Sequence, residues 1–258
     1  MHSPLKDPRT RYPGQSLSEQ IRDIYEDQTS ELVVPFMLMP VVAFAWTQQF
    51  WFNLIKPWMI TLIALLASAW SIRRIVVLNK QKTKLRKGLE GEQILGKFLE
   101  EQLMPYKYQV IHDLVCKNGE KTFNIDHVVI GPTGIFSIET KYWKKPEGPD
   151  HKIFYDGKKI LVDGKAPDRD PLVQAIAGAR TVQDILELRT GKSYTVQPIV
   201  AFLGWYTTKN PKDAPAWVLN EQAVPVFIKN DFRELSPDDG LLAIAQLKQY
   251  SAECGKEA

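Results

Sequence analysis

From Leu32 to Ile72 the chain carries one charged side chain, Lys56. Few soluble folds can bury such a stretch, so it constrains the chain more than any other feature. It divides into an uncharged run, Leu32–Trp46, a more polar Thr47-Gln48-Gln49-Phe50-Trp51-Phe52-Asn53, and a second run, Pro57–Ile72. A helix needs about 20 apolar residues to cross a bilayer. Each run reaches that length by borrowing from its flanks, Phe50 to Phe52 on one side and Ile75 to Leu78 on the other. Trp46, Trp51, Trp58 and Trp70 lie near the run ends, where amphipathic rings favour the membrane interface. Pro35 and Pro40 would disturb a soluble helix but are better tolerated in a spanning one. A buried helical hairpin in a soluble core, or a re-entrant loop, is the competing reading.

The charge that follows favours the membrane. Residues 73–87 contain seven basic side chains, Arg73, Arg74, Lys80, Lys82, Lys84, Arg86 and Lys87, and no acid. Residues 1–72 are net −1 and residues 88–258 net −3, so this segment holds the whole positive excess of a chain of net charge +3. Basic residues close to a spanning helix stay on the cytoplasmic side. The expected topology is a two-helix anchor over 31–78 in the cell inner (cytoplasmic) membrane. Its turn, with only Lys56, lies outside; both termini and the remaining chain are cytoplasmic. The apolar run begins too deep for a cleaved signal peptide. Residues 1–30 read as a tail with one short amphipathic helix, Ser16 and Glu19 having capping-box spacing. Residues 79–87 read as a basic linker.

Residues 88–258 read as one α/β domain. The chain as a whole, 44% hydrophobic and 24% charged, has globular rather than disordered or fibrous composition. Two cysteines, Cys116 and Cys254, and four histidines without ligand spacing exclude a disulfide framework or a structural zinc site. Leu89, Ile94, Leu95, Phe98, Leu99 and Leu103 recur at helical spacing. Strands are expected at Tyr108–Val115, Thr122–Ile130 and Ile135–Lys141, the last two joined by the turn Gly131-Pro132-Thr133-Gly134. A smaller hairpin over 151–163 turns at Asp156-Gly157. A helix over Pro171–Leu188, a buried strand over Val196–Leu203, a short strand over Val224–Ile228 and a helix over Leu241–Tyr250 complete the order.

The candidate chemistry lies on the middle strands. Residues i and i+2 of a strand share a face, so Glu139 and Lys141 point together, and Asp126 joins them if the hairpin register allows. Asp126 lies within Ile125-Asp126-His127-Val128-Val129-Ile130, where a carboxylate is costly unless paired or metal-bound. Two carboxylates beside a lysine suit Mg²⁺-assisted phosphoryl chemistry. An ion pair on a solvated sheet face satisfies the same pattern. His127 falls on the apolar side as a core or supporting histidine. His112-Asp113 has no second histidine-rich motif to support a metal-phosphohydrolase reading. Glu92 by itself fits a solvated first-turn carboxylate.

Gly88-Leu89-Glu90-Gly91-Glu92 on a helix, Ile125-Asp126-His127 on a strand, Ile138-Glu139-Thr140-Lys141 after a glycine turn, and Gln174 opening the next helix together resemble the nuclease-related domain, NERD. That family is grouped with the restriction-endonuclease-like phosphodiesterases of pattern D…(D/E)-x-K, and the resemblance covers roughly residues 88–205. It implies a mixed sheet flanked by helices, with Asp126 and Glu139 as metal ligands, Lys141 as catalytic lysine, and Glu92 and Gln174 as further residues of the site. Mg²⁺ (or Mn²⁺), held also by the Thr140 carbonyl, is the expected cofactor. Nucleic acid, DNA ahead of RNA, is the expected partner, contacted by Tyr142, Trp143, Lys144 and Lys145 at the start of a lysine-rich arm. The expected function is thus a membrane-anchored, metal-dependent nuclease. The alternative is a non-catalytic module that binds nucleic acid or protein on the same fold.

Overall fold

The computed structural model describes residues 11–52, 56–119, 121–146, 148, 151–208 and 210–255. The first ten residues of the expected tail, and Asn53 in the expected inter-helix turn, lie outside them. The described residues divide into two compact units. One combines the chain up to Ser16 with everything from Lys87 onward; the other is Leu17–Arg86.

The second unit consists of most of helix α1, Gln15–Phe52, and the first part of α2, Pro57–Leu103. The short amphipathic helix and the first apolar run are one continuous helix, and the basic segment 79–87 is likewise helical. Side chains pair the two helices in antiparallel order. Ser71 donates to Glu31 Oε2 at 2.9 Å, and Arg74 meets Glu31 Oε1 at 2.6 Å. Gln28 donates to Asn79 at 2.9 Å and accepts from Lys82 at 2.8 Å. Glu31 and Ser71 are buried, and with Trp46 Nε1 donating to Thr61 Oγ1 at 3.2 Å and Arg86 donating to the Tyr25 hydroxyl, these polar contacts fix which residues face each other along the pair. Both helices are long and apolar enough to cross a membrane. Phe36, Met37, Phe44, Leu65, Leu66 and Trp70 are all exposed, so the apolar surface extends around the helices instead of forming one core-facing stripe.

The first unit is a mixed α/β fold. Its main sheet has the order β1-β2-β3-β6-β8, built from Gln109–Asn118, Lys121–Gly131, Gly134–Lys141, Val196–Phe202 and Trp217–Asn220. The first three strands pair antiparallel; β3–β6 and β6–β8 are parallel. A second sheet, of order β5-β4-β7, uses Lys152–Tyr155 as β4, Ile160–Val162 as β5 and Tyr206–Thr207 as β7. Leu95, Leu99 and Leu103 of α2 cover one face of the main sheet, against Val129, Phe136, Ile138 and Ile199. Helices α3, Pro171–Thr190, and α5, Pro237–Cys254, bury Ala179, Val182, Leu186 and Leu247 on the other. Asp170 caps α3 by accepting from Leu172 N–H at 2.9 Å. Cys116 and Cys254 are free and buried.

Two elements differ from expectation. Val224–Ile228 is not a strand but lies in α4, Ala223–Lys229. Val224 and Ile228, one helical turn apart, both bury against the sheet, and this packing overrides the β-branched composition. Trp217–Asn220 supplies the edge strand instead. Two glycines mark close approaches of helix to sheet. A Cβ on Gly91 would fall 2.4 Å from Tyr142 Cβ, and one on Gly178 would lie 3.3 Å from Ser137 Oγ.

Residues 11–16 also belong to this unit, far in sequence from the rest of it. A Cβ on Gly96 of α2 would meet the Pro13 ring at 2.6 Å. Arg11 Nε donates to Asp113 Oδ2 at 2.5 Å, while the backbone N–H and hydroxyl of Ser16 donate to the same oxygen at 3.0 and 2.9 Å. Asp113 has no exposed side-chain surface. Removing one partner of such a pair leaves a buried charge uncompensated, at a cost of about 3 kcal/mol. Arg11→Ala should therefore lower the unfolding free energy of the detergent-solubilised chain by about that amount in a denaturant titration. Asp113→Asn in the Arg11→Ala background should recover part of the loss.

Candidate active site

The β2–β3 ladder runs from Gly131↔Gly134 to His127↔Ile138 and stops there. One residue further on, where Asp126 would face Glu139, the strands part. The Asp126 side chain replaces the missing rung: its Oδ2 accepts the Thr140 N–H at 2.7 Å. The β1–β2 ladder lacks a rung at the same level, since His112↔His127 and Leu114↔Ile125 pair but Asp113 does not. Asp113 has a positive φ of 49°. Around it the two-residue alternation breaks, and Ile111 and Leu114 both enter the core on the α3/α5 face, as do Ile125 and Val128. This departure from regular pleating lets two aspartates occupy neighbouring strands, the edge strand β1 and the inner strand β2.

The site residues expected from the sequence come together at this opening. Lys141 Nζ donates to Glu139 Oε1 at 2.5 Å and to Gln174 Oε1, on α3, at 3.0 Å. Glu139 and Lys141 are mostly buried, so this is not a pair on a solvated sheet face. Thr140 Oγ1 and Glu92 Oε2 are buried without a hydrogen-bond partner. Glu92 is not in the first turn of a helix, because α2 begins far upstream, at Pro57. It is 6% exposed, and a Cβ on Gly14 would lie 3.5 Å from its Oε2.

Burial first, then the neighbouring charges of Asp113 and Glu139, push the Glu92 carboxyl up to about 8, with Lys141 acting in the opposite sense. Burial, Glu139 and Glu92 likewise raise Asp126 well above the ordinary range, opposed by the Thr140 N–H and by Lys141. Asp113 is thus a carboxylate of this neighbourhood that the sequence offered only beside His112, for a metal-phosphohydrolase reading, and not as a member of this site. The signal for this site was an aspartate inside an otherwise largely apolar strand, Ile111-His112-Asp113-Leu114-Val115.

Behind the opening lies a buried histidine pair. His112 Nδ1 and His127 Nδ1 are 3.0 Å apart, and His112 Nε2 lies 3.1 Å from Glu100 Oε1. Burial holds both imidazoles below their ordinary pKa, His127 more strongly. With His112 donating to Glu100 through Nε2, its Nδ1 must accept, so His127 donates from Nδ1.

Tyr142 and Trp143 are half-buried and pack against the core. Tyr142 packs beside the α2 leucines over Gly91. The Trp143 ring centroid is 5.2 Å from that of Phe202, and its carbonyl accepts from Trp205 Nε1 at 3.1 Å. Lys144 is exposed, while Lys145 Nζ lies 4.4 Å from the Tyr206 ring centroid.

Among the described residues no three His, Cys, Asp or Glu side chains are grouped as ligands for one metal ion. Mg²⁺ does not require three, because it retains several waters and often takes one or two carboxylates with substrate oxygens completing the shell. The mutual repulsion of Asp126, Glu139 and Glu92, and the orphaned Glu92 oxygen, are consistent with a position a cation would stabilise.

A mixed sheet flanked by helices, opening between two inner strands onto two carboxylates and a lysine, has the layout of the restriction-endonuclease-like class. Residues 87–203 match the family model of NERD, the nuclease-related domain. None of the curated proteins compared with the chain matches it, and no solved structure does.

Folding stability depends on pH through Glu92. Between its ordinary pKa of 4.5 and its folded value of about 8, the folded chain holds a proton that the unfolded chain has lost. The stabilising contribution of that proton is therefore complete at low pH and falls as pH rises through the window. In chelator, the melting temperature should decline from about pH 5 to about pH 8.5, and Glu92→Gln should flatten the decline.

Proposed function

We propose that the protein is a membrane-anchored, metal-dependent nuclease that hydrolyses phosphodiester bonds of nucleic acid at the cytoplasmic face. The observation that carries this reading is the convergence of Asp126, Glu139 and Lys141 where β2 and β3 part, with Gln174 on the lysine. Asp126, Glu139 and the Thr140 carbonyl would hold Mg²⁺ (or Mn²⁺), which when bound polarises a phosphoryl oxygen and acidifies a water. Glu139 and Gln174 hold the Lys141 ammonium in place. From there it can orient the attacking water and stabilise charge developing on the phosphate. The raised pKa of Glu92 favours its protonated form at neutral pH, which limits the charge repulsion in the site.

Two observations support the anchor. The apolar surface surrounds both helices, and the basic cluster 73–87 directly follows the second run. Under this reading the turn lies outside and the nuclease-related domain inside. A cysteine replacing Lys56 should react with an impermeant maleimide added to intact cells, and a reporter joined after Ala258 should be cytoplasmic. A chain that stays soluble without detergent would contradict the anchor.

For the chemistry, Lys141→Ala should reduce Mg²⁺-dependent cleavage by about 100-fold or more, the loss expected for a transition-state contact of a few kcal/mol. It should keep the rise in melting temperature that Mg²⁺ gives the wild type. That rise should vanish in Asp126→Asn and in Glu139→Gln. Cleavage that survives Lys141→Ala, or an equal metal response in all four proteins, would defeat the nuclease reading.

A further inference from the structure

The small sheet presents two different faces. Along β4 burial alternates: Ile153 and Tyr155 are buried with Ile160 of β5, against Val200, Phe202 and Trp205. Lys152 and Phe154 point the other way and are exposed. Register places Tyr206 of β7 beside Lys152 and Leu161 of β5 beside Phe154, and residues directly opposite each other share a face. The outward face therefore carries Lys152, Phe154, Leu161 and Tyr206. Tyr206 is 61% exposed and Phe154 44%, and Lys145 Nζ sits 4.4 Å from the Tyr206 ring centroid.

This face adjoins the proposed active site through the chain itself. Lys141 and Phe202 are partners on the parallel strands β3 and β6, and Leu203 N–H donates to the Lys141 carbonyl at 3.0 Å. The two strands leave the main sheet side by side, one continuing to Lys145 and the other to Tyr206, each four residues on.

We infer that the outward face of the small sheet is a stacking platform that holds a single-stranded segment of nucleic acid and leads it to Lys141. The inference rests on the nuclease reading for the identity of the ligand and names the form of the substrate. Two exposed rings on a sheet can stack successive bases only where those bases are unpaired. Charge complementarity supplies the second argument. Residues 141–169 hold eight basic side chains against five acids, whereas residues 88–258 together are net −3. Of those acids, Asp163 is engaged by the His151 ring and the Lys152 N–H. Lys145 and Lys152 can each meet a phosphate of the strand whose bases stack on Tyr206 and Phe154. These rings take the role that the sequence pattern suggested for Tyr142 and Trp143.

The test uses the full chain in detergent and chelator, with fluorescein-labelled oligothymidylate, oligouridylate and a hairpin duplex as anisotropy probes. Tyr206→Ala and Phe154→Ala should each weaken both single-stranded probes by about 5- to 150-fold, with little change in salt dependence. Tyr206→Phe should bind like the wild type, which separates stacking from a general structural effect. Lys145→Gln should weaken binding and reduce the slope against salt by about one ion. The platform is refuted if the Tyr206→Ala/Phe154→Ala double variant binds oligothymidylate like the wild type, or if the wild type binds the duplex alone or neither single strand. Adding Mg²⁺ or Mn²⁺ separates the two readings. Ring-dependent binding without cleavage would uphold the platform and reject the nuclease. Cleavage with an unchanged KM in the double variant would reject the platform and uphold the nuclease.

Discussion

Like charges held together where two strands separate are the interaction on which the domain is organised. Removing a carboxylate from water costs several kcal/mol even after relaxation, and a second one nearby adds repulsion. Here the charges of Asp113, Glu139 and Glu92 reach one another or Asp126 across the opening. The fold manages each differently. Lys141 compensates Glu139, a backbone N–H serves Asp126, Arg11, Ser16 and Asn124 serve Asp113, and Glu92 takes up a proton. Glu92 Oε2 and Thr140 Oγ1 are buried there without a hydrogen-bond partner, and carboxylates with pKa values shifted by burial and like charges cluster at sites of binding or catalysis.

That solution accounts for several features with no obvious purpose in isolation. The positive φ of Asp113 and the two missing ladder rungs switch which side chains face which layer. The close approach of α2 to the sheet at Gly91 brings the Glu92 helix against the opening. The segment 11–16 packs against Gly96 and ends on Asp113. The unit that holds the site thus extends beyond the family match at 87–203 to include a stretch near the start of the chain.

The hairpin unit depends on a different balance. Most of its apolar side chains face outward, and its directional contacts are polar pairs such as Glu31 with Ser71 and Arg74, Gln28 with Asn79 and Lys82, and Trp46 with Thr61. In a hydrocarbon surrounding, where apolar surface gives no preference for one neighbour over another, such pairs and close van der Waals packing decide which helices associate and in what register.

The sequence by itself determined what local pattern controls. The two apolar helices follow from forty-one residues with a single charge, and the first three strands from their composition and turn chemistry. The pairing of Glu139 with Lys141 follows from the two-residue period of a strand. Tertiary structure decided what depends on contact between distant segments. Val224–Ile228 became helix because its apolar residues met a sheet at one-turn spacing, and Trp143 turned inward because Phe202 and Trp205 offered it a core. Asp113 joined the site because Arg11 and Ser16, about a hundred residues away, share with Asn124 of the neighbouring strand the hydrogen bonds that make its burial tolerable. A pattern read along the chain registers which residues prefer to be buried; whether a buried charge finds a partner is settled only when the chain has folded back on itself.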